Sequence, residues 1–237
     1  MQLSLYTFGA MSSVLLPTIS SHQNDLEMVK RILRKVTRMT AYLITPLMVG
    51  MAVTAREIIL LLLKPEWLPI ERIMQFSCLY YLATPFMLIN VQLFFALGHS
   101  FLRVKTELIR IAMVFISLAM CIVFKWDIYD LAFAGGIIAV LAALVTSYEA
   151  WKLIRYTAKE MVEDVWKPFF IGAIMGGAVV VAGLVFLDGA SNTLSLIVKV
   201  LIGIAVYILL SAIFKQAEFT EILQMLKDIG KRKENND

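Results

Sequence analysis

The sequence predicts an all-α, polytopic membrane helical bundle, and composition and apolar runs carry the prediction. Hydrophobic residues make up 60% of the 237 positions and charged residues 17%, whereas soluble domains average about 45–50% and about 25%. A transmembrane helix requires a run of about 18 apolar residues. Because backbone polar groups in lipid must be satisfied internally, runs of this length form helices. Four charge-free runs reach or approach that length, at residues 1–21, 73–98, 131–148 and 168–187.

The apolar pattern divides the chain into about seven membrane-crossing helices. We expect residues 1–215 to form a transmembrane lobe and residues 216–237 to form a cytoplasmic amphipathic helix with a charged tail. A short apolar elbow at 56–63 follows the second predicted span, and Pro69 precedes the third. The predicted spans are 2–21, 38–54, 73–98, 105–124, 130–151, 168–187 and 194–214.

Basic residues are concentrated in alternate loops. They cluster after the first, third, fifth and seventh predicted spans, and the loops between carry few. Because Lys and Arg are enriched in cytoplasmic loops, the first span is predicted to run from outside to inside and the C-terminus to be cytoplasmic. The same distribution explains the net charge of +4, so we expect no nucleic-acid partner.

Two segments have an apolar helical face opposite a basic one, at residues 24–37 and 217–229. Asn24 and Glu27 have the spacing of a capping box at the start of the first. Such helices are typical of the membrane surface, where Lys and Arg face anionic headgroups. The alternative interpretation is an amphipathic helix that packs on a partner.

No motif for catalysis, nucleotide binding or metal binding is present. The sequence lacks a P-loop, H-E-x-x-H, G-x-S-x-G and a Rossmann glycine pattern. Cys78 and Cys121 lie in apolar runs and are predicted to be small core residues. We therefore predict a protein that is not an enzyme, with no catalytic residue, metal or cofactor.

Charged and amide side chains within the predicted spans are the candidate site residues. The charge-free part of the fourth span is too short to cross a membrane, so Glu107 and Arg110 must lie within it, on one helix face where they can pair. Arg110 either extends to the interface or faces a hydrated cavity and contacts an anionic headgroup. Asn90 and Gln92 in the third span are amides that need partners or line a hydrated path. Lys199 is expected to extend outward to the interface.

Five stretches resemble bacterial polysaccharide flippases of the teichuronic-acid and colanic-acid exporter group, within the multidrug/oligosaccharidyl-lipid/polysaccharide exporter superfamily. The most specific is NVQLFFALGHSFLRVKTELIR at residues 90–110, where His99 replaces the usual Arg and Arg110 replaces the usual Lys. The others are VLLPTIS at 14–20, IILLLLKPEW at 58–67, DVWKP at 164–168, and the pair Gly203 and Tyr207.

The resemblance implies a flippase that exports a lipid-linked oligosaccharide or polysaccharide precursor for envelope polysaccharides such as lipopolysaccharide. The carrier would be undecaprenyl pyrophosphate, moved by alternating access across the bacterial cytoplasmic membrane. Cationic side chains would meet the pyrophosphate and polar ones the sugars. The implied substrate-binding residues are therefore Arg110, Glu107, Asn90 and Gln92.

Members of that group have two pseudo-symmetric lobes and are about twice as long, so the chain is expected to be one lobe, the C-terminal one. Its implied partners are membrane lipids, the lipid-linked substrate, and an N-terminal lobe or a second chain. Two alternatives remain open. One is a membrane enzyme of polyprenyl-linked glycan assembly, which would need clustered acidic or His side chains. The other is a non-transporting half-lobe that needs a partner chain.

Overall fold

The computed structural model describes residues 15–186 and 191–221, together with residue 224. These residues form α-helices joined by short turns and one 3₁₀ helix, and no β-strand occurs among them. The first helix, α1, is described over residues 15–21. The others are α2 Leu26–Val53, α3 Ala55–Leu62, the 3₁₀ helix Pro65–Ile70, α4 Glu71–Ala96, α5 Ser100–Phe124, α6 Ile128–Ile154, α7 Ala158–Phe186 and α8 Asn192–Ile213.

Within the described residues, six helices are long and apolar enough to cross a membrane, which confirms the all-α membrane bundle. They correspond to the second to seventh predicted spans. Of the first predicted span, residues 2–14 lie outside the described part of the chain, and residues 15–21 are helical. The predicted elbow at 56–63 is α3.

Helices α4 and α6 form the most extensive contact of the bundle, and small side chains permit it. A Cβ on Gly136 would lie 3.0 Å from the Leu79 side chain, so glycine lets the two backbones approach closely. Helix α2 packs on both α4 and α7, and α7 packs on α8. Helix α5 lies at the periphery, and Thr106 and Ser117 are the buried residues that the structure describes in it. Many of its large apolar side chains are exposed, among them Phe101, Phe115 and Ile122, as lipid contact requires.

The segment 24–37 does not form a separate helix on the membrane surface, so that prediction was wrong. Its residues continue into the span as the first half of α2, and the N-cap is Asp25, whose carboxylate accepts from the Met28 N–H at 3.0 Å. Val29 and Leu33 are fully buried. They belong to a core cluster with α1, α4 and α6. The apolar face is buried within the bundle, which removes it from water without lipid.

Candidate transport site

Asn90 of α4 forms hydrogen bonds to α6. Its side chain is buried at 5% exposure, and its amide nitrogen donates to Ser147 Oγ at 3.0 Å and to Thr146 Oγ1 at 3.4 Å. Gln92 is half-buried and lies two residues further along, which is about 200° around the helix axis. The two amides therefore point to different sides of α4 and do not line one surface.

Glu107 and Arg110 form the predicted pair on one face of α5. Arg110 Nε donates to Glu107 Oε1 at 3.1 Å, and Arg103 bridges the same carboxylate at 3.2 Å. The two paired side chains are 25% and 32% exposed, so part of the Arg110 guanidinium remains accessible. This pair lies on the peripheral helix α5, whereas the Asn90 side chain is hydrogen-bonded to α6.

A groove of about 560 Å³ separates α2 from α8, and sequence reasoning did not locate it. Its walls are α2 from Leu43 to Val53 with the C-cap Thr54, and α8 from Leu196 to Ile208, and α7 forms the floor. The groove exists because α2 and α8 both pack on α7 and scarcely touch each other. Among the described residues that line it, Lys199 alone is charged.

Polar contacts join the two walls at each end of this groove. At one end, the buried Tyr207 hydroxyl donates to the Tyr42 carbonyl oxygen at 2.8 Å. At the other, Lys199 Nζ lies 2.5 Å from Glu57 Oε1, and the two side chains are 13% and 11% exposed. Lys199, which was expected to extend outward to the interface, thus contacts Glu57 of the elbow α3, and both side chains are largely buried. The Lys199 stem crosses α7 at Gly183, where a Cβ would lie 2.7 Å from Lys199 Cε.

A second cavity of about 470 Å³ lies between α6 and α7, two consecutive helices that barely touch. Aromatic side chains line it, among them Phe86, Tyr148, Trp151 and Phe169. Lys152 Nζ lies 4.2 Å from the centre of the Tyr148 ring, in cation–π geometry. Both cavities are thus predominantly apolar.

Four basic residues of α2, namely Lys30, Arg34, Lys35 and Arg38, bind carboxylates of this chain. Arg34 donates to Asp164 from Nε at 2.7 Å and from Nη2 at 2.9 Å, and Lys30 bridges Glu160 at 2.9 Å. Arg38 bridges Glu218 of the C-terminal segment at 3.5 Å. These side chains were expected to face anionic headgroups, and carboxylates from α7 and the C-terminal segment neutralise them instead.

Tyr156 belongs to the same set of contacts. Its hydroxyl donates to Asp164 Oδ2 at 2.8 Å. Burial, and then the hydrogen bond to that carboxylate, raise the pKa of Tyr156 well above its usual range. The hydroxyl therefore stays protonated and remains a donor.

No group of three or more His, Cys, Asp or Glu side chains within the described residues could hold a metal ion. The residues that bound the groove were visible in the sequence only as isolated signals. Gly203 and Tyr207 appeared in the resemblance, and Lys199 appeared as a charge within a span. Nothing local to these positions identifies partners that lie 142 and 165 residues away.

Comparisons with known proteins agree with the resemblance. Residues 3–72 match a family model described as polysaccharide biosynthesis protein. The fold matches a solved structure of the lipid II flippase MurJ in an inward closed conformation, with a TM-score of 0.63 and 22% identity. That match covers 86% of this chain and 42% of the flippase, so the chain spans less than half of the flippase's length.

A comparison with curated proteins finds no match. At 22% identity the structural match shows the fold alone, and the family match covers residues 3–72, less than half of the chain.

Proposed function

We propose that this chain is one lobe of a flippase that moves a lipid-linked oligosaccharide or polysaccharide precursor across the membrane for envelope polysaccharide biosynthesis. The proposed membrane is the bacterial cytoplasmic membrane, with the C-terminus on the cytoplasmic side. The chain would act as a transporter and not as an enzyme. Its family match and its fold are consistent with this function.

The apolar groove between α2 and α8 is the observation that best supports this function. A lipid-linked precursor has a long apolar chain and an anionic, sugar-bearing headgroup, and the two parts need different surroundings. The groove wall from Leu43 to Thr54 extends about 16 Å at the helical rise per residue. It can therefore hold a segment of an alkyl or isoprenoid chain within the bundle.

We propose that Arg110 of α5, which does not line the groove, contacts the anionic headgroup. Its guanidinium is partly exposed and can form bidentate contacts with phosphate, while Glu107 holds it in place. Gln92 is retained as a candidate sugar contact. For Asn90, the hydrogen bonds to α6 support a role in positioning α4.

Translocation by the reconstituted protein tests the proposal. Proteoliposomes would carry a fluorescent polyprenyl-pyrophosphate glycan, and a membrane-impermeant quencher would report the fraction in each leaflet. We expect translocation above protein-free liposomes, and at least a tenfold loss of rate in Arg110→Gln. Arg31→Gln, an exposed arginine at the start of α2, is the matched control and should retain the rate. Equal rates in protein-free liposomes and in all variants would refute the proposal.

The length comparison supports a second candidate, a half-lobe that needs a partner. Because the match covers 42% of the flippase, we propose that a second lobe, either an N-terminal one or another copy, completes the transport path. Two copies with different affinity tags would be co-expressed and purified through one tag. Recovery of the second tag supports self-association. If the second tag is not recovered and the single chain translocates substrate, this candidate is excluded.

A further inference from the structure

We infer that the groove between α2 and α8 is a gate, with a hinge at the Tyr42–Tyr207 contact and a latch at the Glu57–Lys199 pair. The moving part is the half of α2 beyond Pro46, together with the elbow α3. This inference goes beyond the proposed transport function. It concerns a motion that can be measured whether or not substrate is moved.

The hinge follows from Pro46. Proline lacks an N–H, so the carbonyl of Tyr42, four residues earlier, loses the intrahelical hydrogen bond that it would otherwise accept. In this structure the Tyr207 hydroxyl of α8 donates to that oxygen at 2.8 Å. The two tyrosine rings also pack with centroids 5.3 Å apart. The contact thus satisfies the freed carbonyl and fixes the point from which the rest of α2 can bend.

The surface of α7 limits the direction of that bend. A Cβ on Gly172 would lie 2.4 Å from the Thr45 side chain, and one on Gly176 would lie 2.8 Å from Val49. Helix α2 therefore rests directly on a smooth glycine face of α7 on both sides of the proline. Packing this close opposes movement away from α7, whereas on the α8 side the groove offers open space.

The latch closes the far end of the groove. Helix α2 ends at Val53, and α3 begins at Ala55, so Glu57 lies in the first turn of the elbow. Its Oε1 contacts Lys199 of α8, and its Oε2 is buried with no hydrogen-bond partner in the described structure. The elbow also packs on α8 through apolar residues, and this charge-assisted contact is the polar part of that interface. Releasing it weakens the hold on the end of the lever.

The expected movement is large enough to measure. The lever from Leu47 to Val53 is about 10 Å long. A change of about 20° in the helix bend at a proline displaces the end of such a lever by about 4 Å. That displacement compares with the width of a side chain and would close or open an apolar groove of this size.

Spin-label distances in lipid nanodiscs test the gate. Leu62 at the end of α3 and Leu194 at the start of α8 are 73% and 52% exposed, so a label at each reports the opening. Both native cysteines are replaced by Ala in the labelled protein. We expect a narrow distance distribution in this background, and a shift or broadening of about 4 Å, the displacement worked out above, in Tyr207→Phe and in Glu57→Gln. Tyr148→Phe and Glu66→Gln are the matched controls and should leave the distribution unchanged.

A rescue separates a hinge from general packing. Pro46→Ala restores an N–H for the Tyr42 carbonyl, so the double variant with Tyr207→Phe should regain the narrow distribution. If Glu57→Gln does not fold, Glu57→Gln with Lys199→Gln removes the unpaired buried charge and should still open the latch. The gate is excluded if the distributions of the hinge and latch variants superimpose on the background, or if Pro46→Ala fails to restore the distance in Tyr207→Phe.

Discussion

Removing the Asp164 carboxylate is predicted to destabilise the helical bundle strongly. The Asp164 side chain is 3% exposed and accepts three hydrogen bonds, two from Arg34 and one from Tyr156. Through Arg34 it joins α2 to α7, and through Tyr156 it fixes the turn between α6 and α7. The carboxylate is therefore a junction of three helices.

The magnitude follows from what Asp164→Ala leaves behind. Tyr156 is 5% exposed, and a buried hydroxyl without an acceptor costs about 1 to 3 kcal/mol. Breaking a fully buried ion pair costs about 3 to 5 kcal/mol. Arg34, however, is 29% exposed and keeps its contact with Glu160 at 3.3 Å, so we discount its contribution to about 1 kcal/mol. The expected loss is about 3 kcal/mol in the free energy of unfolding.

Chemical unfolding in mixed micelles, followed by tryptophan fluorescence, measures this loss. Glu163→Ala is the matched control, because Glu163 is next to Asp164 but its side chain is 54% exposed. Its carboxylate lies 4.0 Å from Lys159, and such an exposed ion pair contributes less than about 1 kcal/mol. Tyr156→Phe should be non-additive with Asp164→Ala, because the hydrogen bond between Tyr156 and Asp164 is lost in both variants. Equal stability of the Asp164 and Glu163 variants would contradict the reasoning.

Three further substitutions test the packing of the bundle by the same unfolding measurement. Asn90→Ala should cost about 0.6 to 2 kcal/mol through loss of its interhelical hydrogen bonds, and an unchanged stability would remove its assigned role. Gly172→Ala should cost about 1 to 3 kcal/mol by overpacking, because the added methyl would lie 2.4 Å from a threonine side chain, whereas Gly177→Ala has nothing within 4 Å and should be neutral or stabilising. Lys199→Met should cost about 3 to 5 kcal/mol because it leaves Glu57 buried without a counter-charge. Adding Glu57→Gln should recover most of that loss, and failure to recover would show that the pair is not the cause.

Local features of the sequence were sufficient to predict the class of fold and most of its elements. Apolar runs and the elbow pattern predicted the second to seventh spans, because membrane insertion depends on the composition of a contiguous segment. The Glu107–Arg110 pair was predicted for a similar reason, since residues three apart on a helix are neighbours whatever surrounds them. The requirement that a buried amide finds a partner was also correct for Asn90, although the sequence did not identify Ser147 as that partner.

The amphipathic start of α2 shows where local pattern is insufficient. An apolar face opposite a basic one fits either a lipid surface or a protein partner, because both remove apolar side chains from water. Tertiary structure decided in favour of the protein, since α1, α4 and α6 bury Val29 and Leu33 and Asp164 neutralises Arg34.

The sequence by itself determined that this protein is an all-α membrane bundle, with the elbow after the first long helix and the placement of its prolines and glycines. Only the tertiary structure decided the groove, its hinge and its latch. Tyr207 meets the carbonyl freed by Pro46 across 165 positions, and Lys199 meets Glu57 across 142. Such contacts depend on how α2 and α8 are arranged on α7. That arrangement is set by packing between helices, and the apolar periodicity of the α2 or α8 sequence does not reveal it.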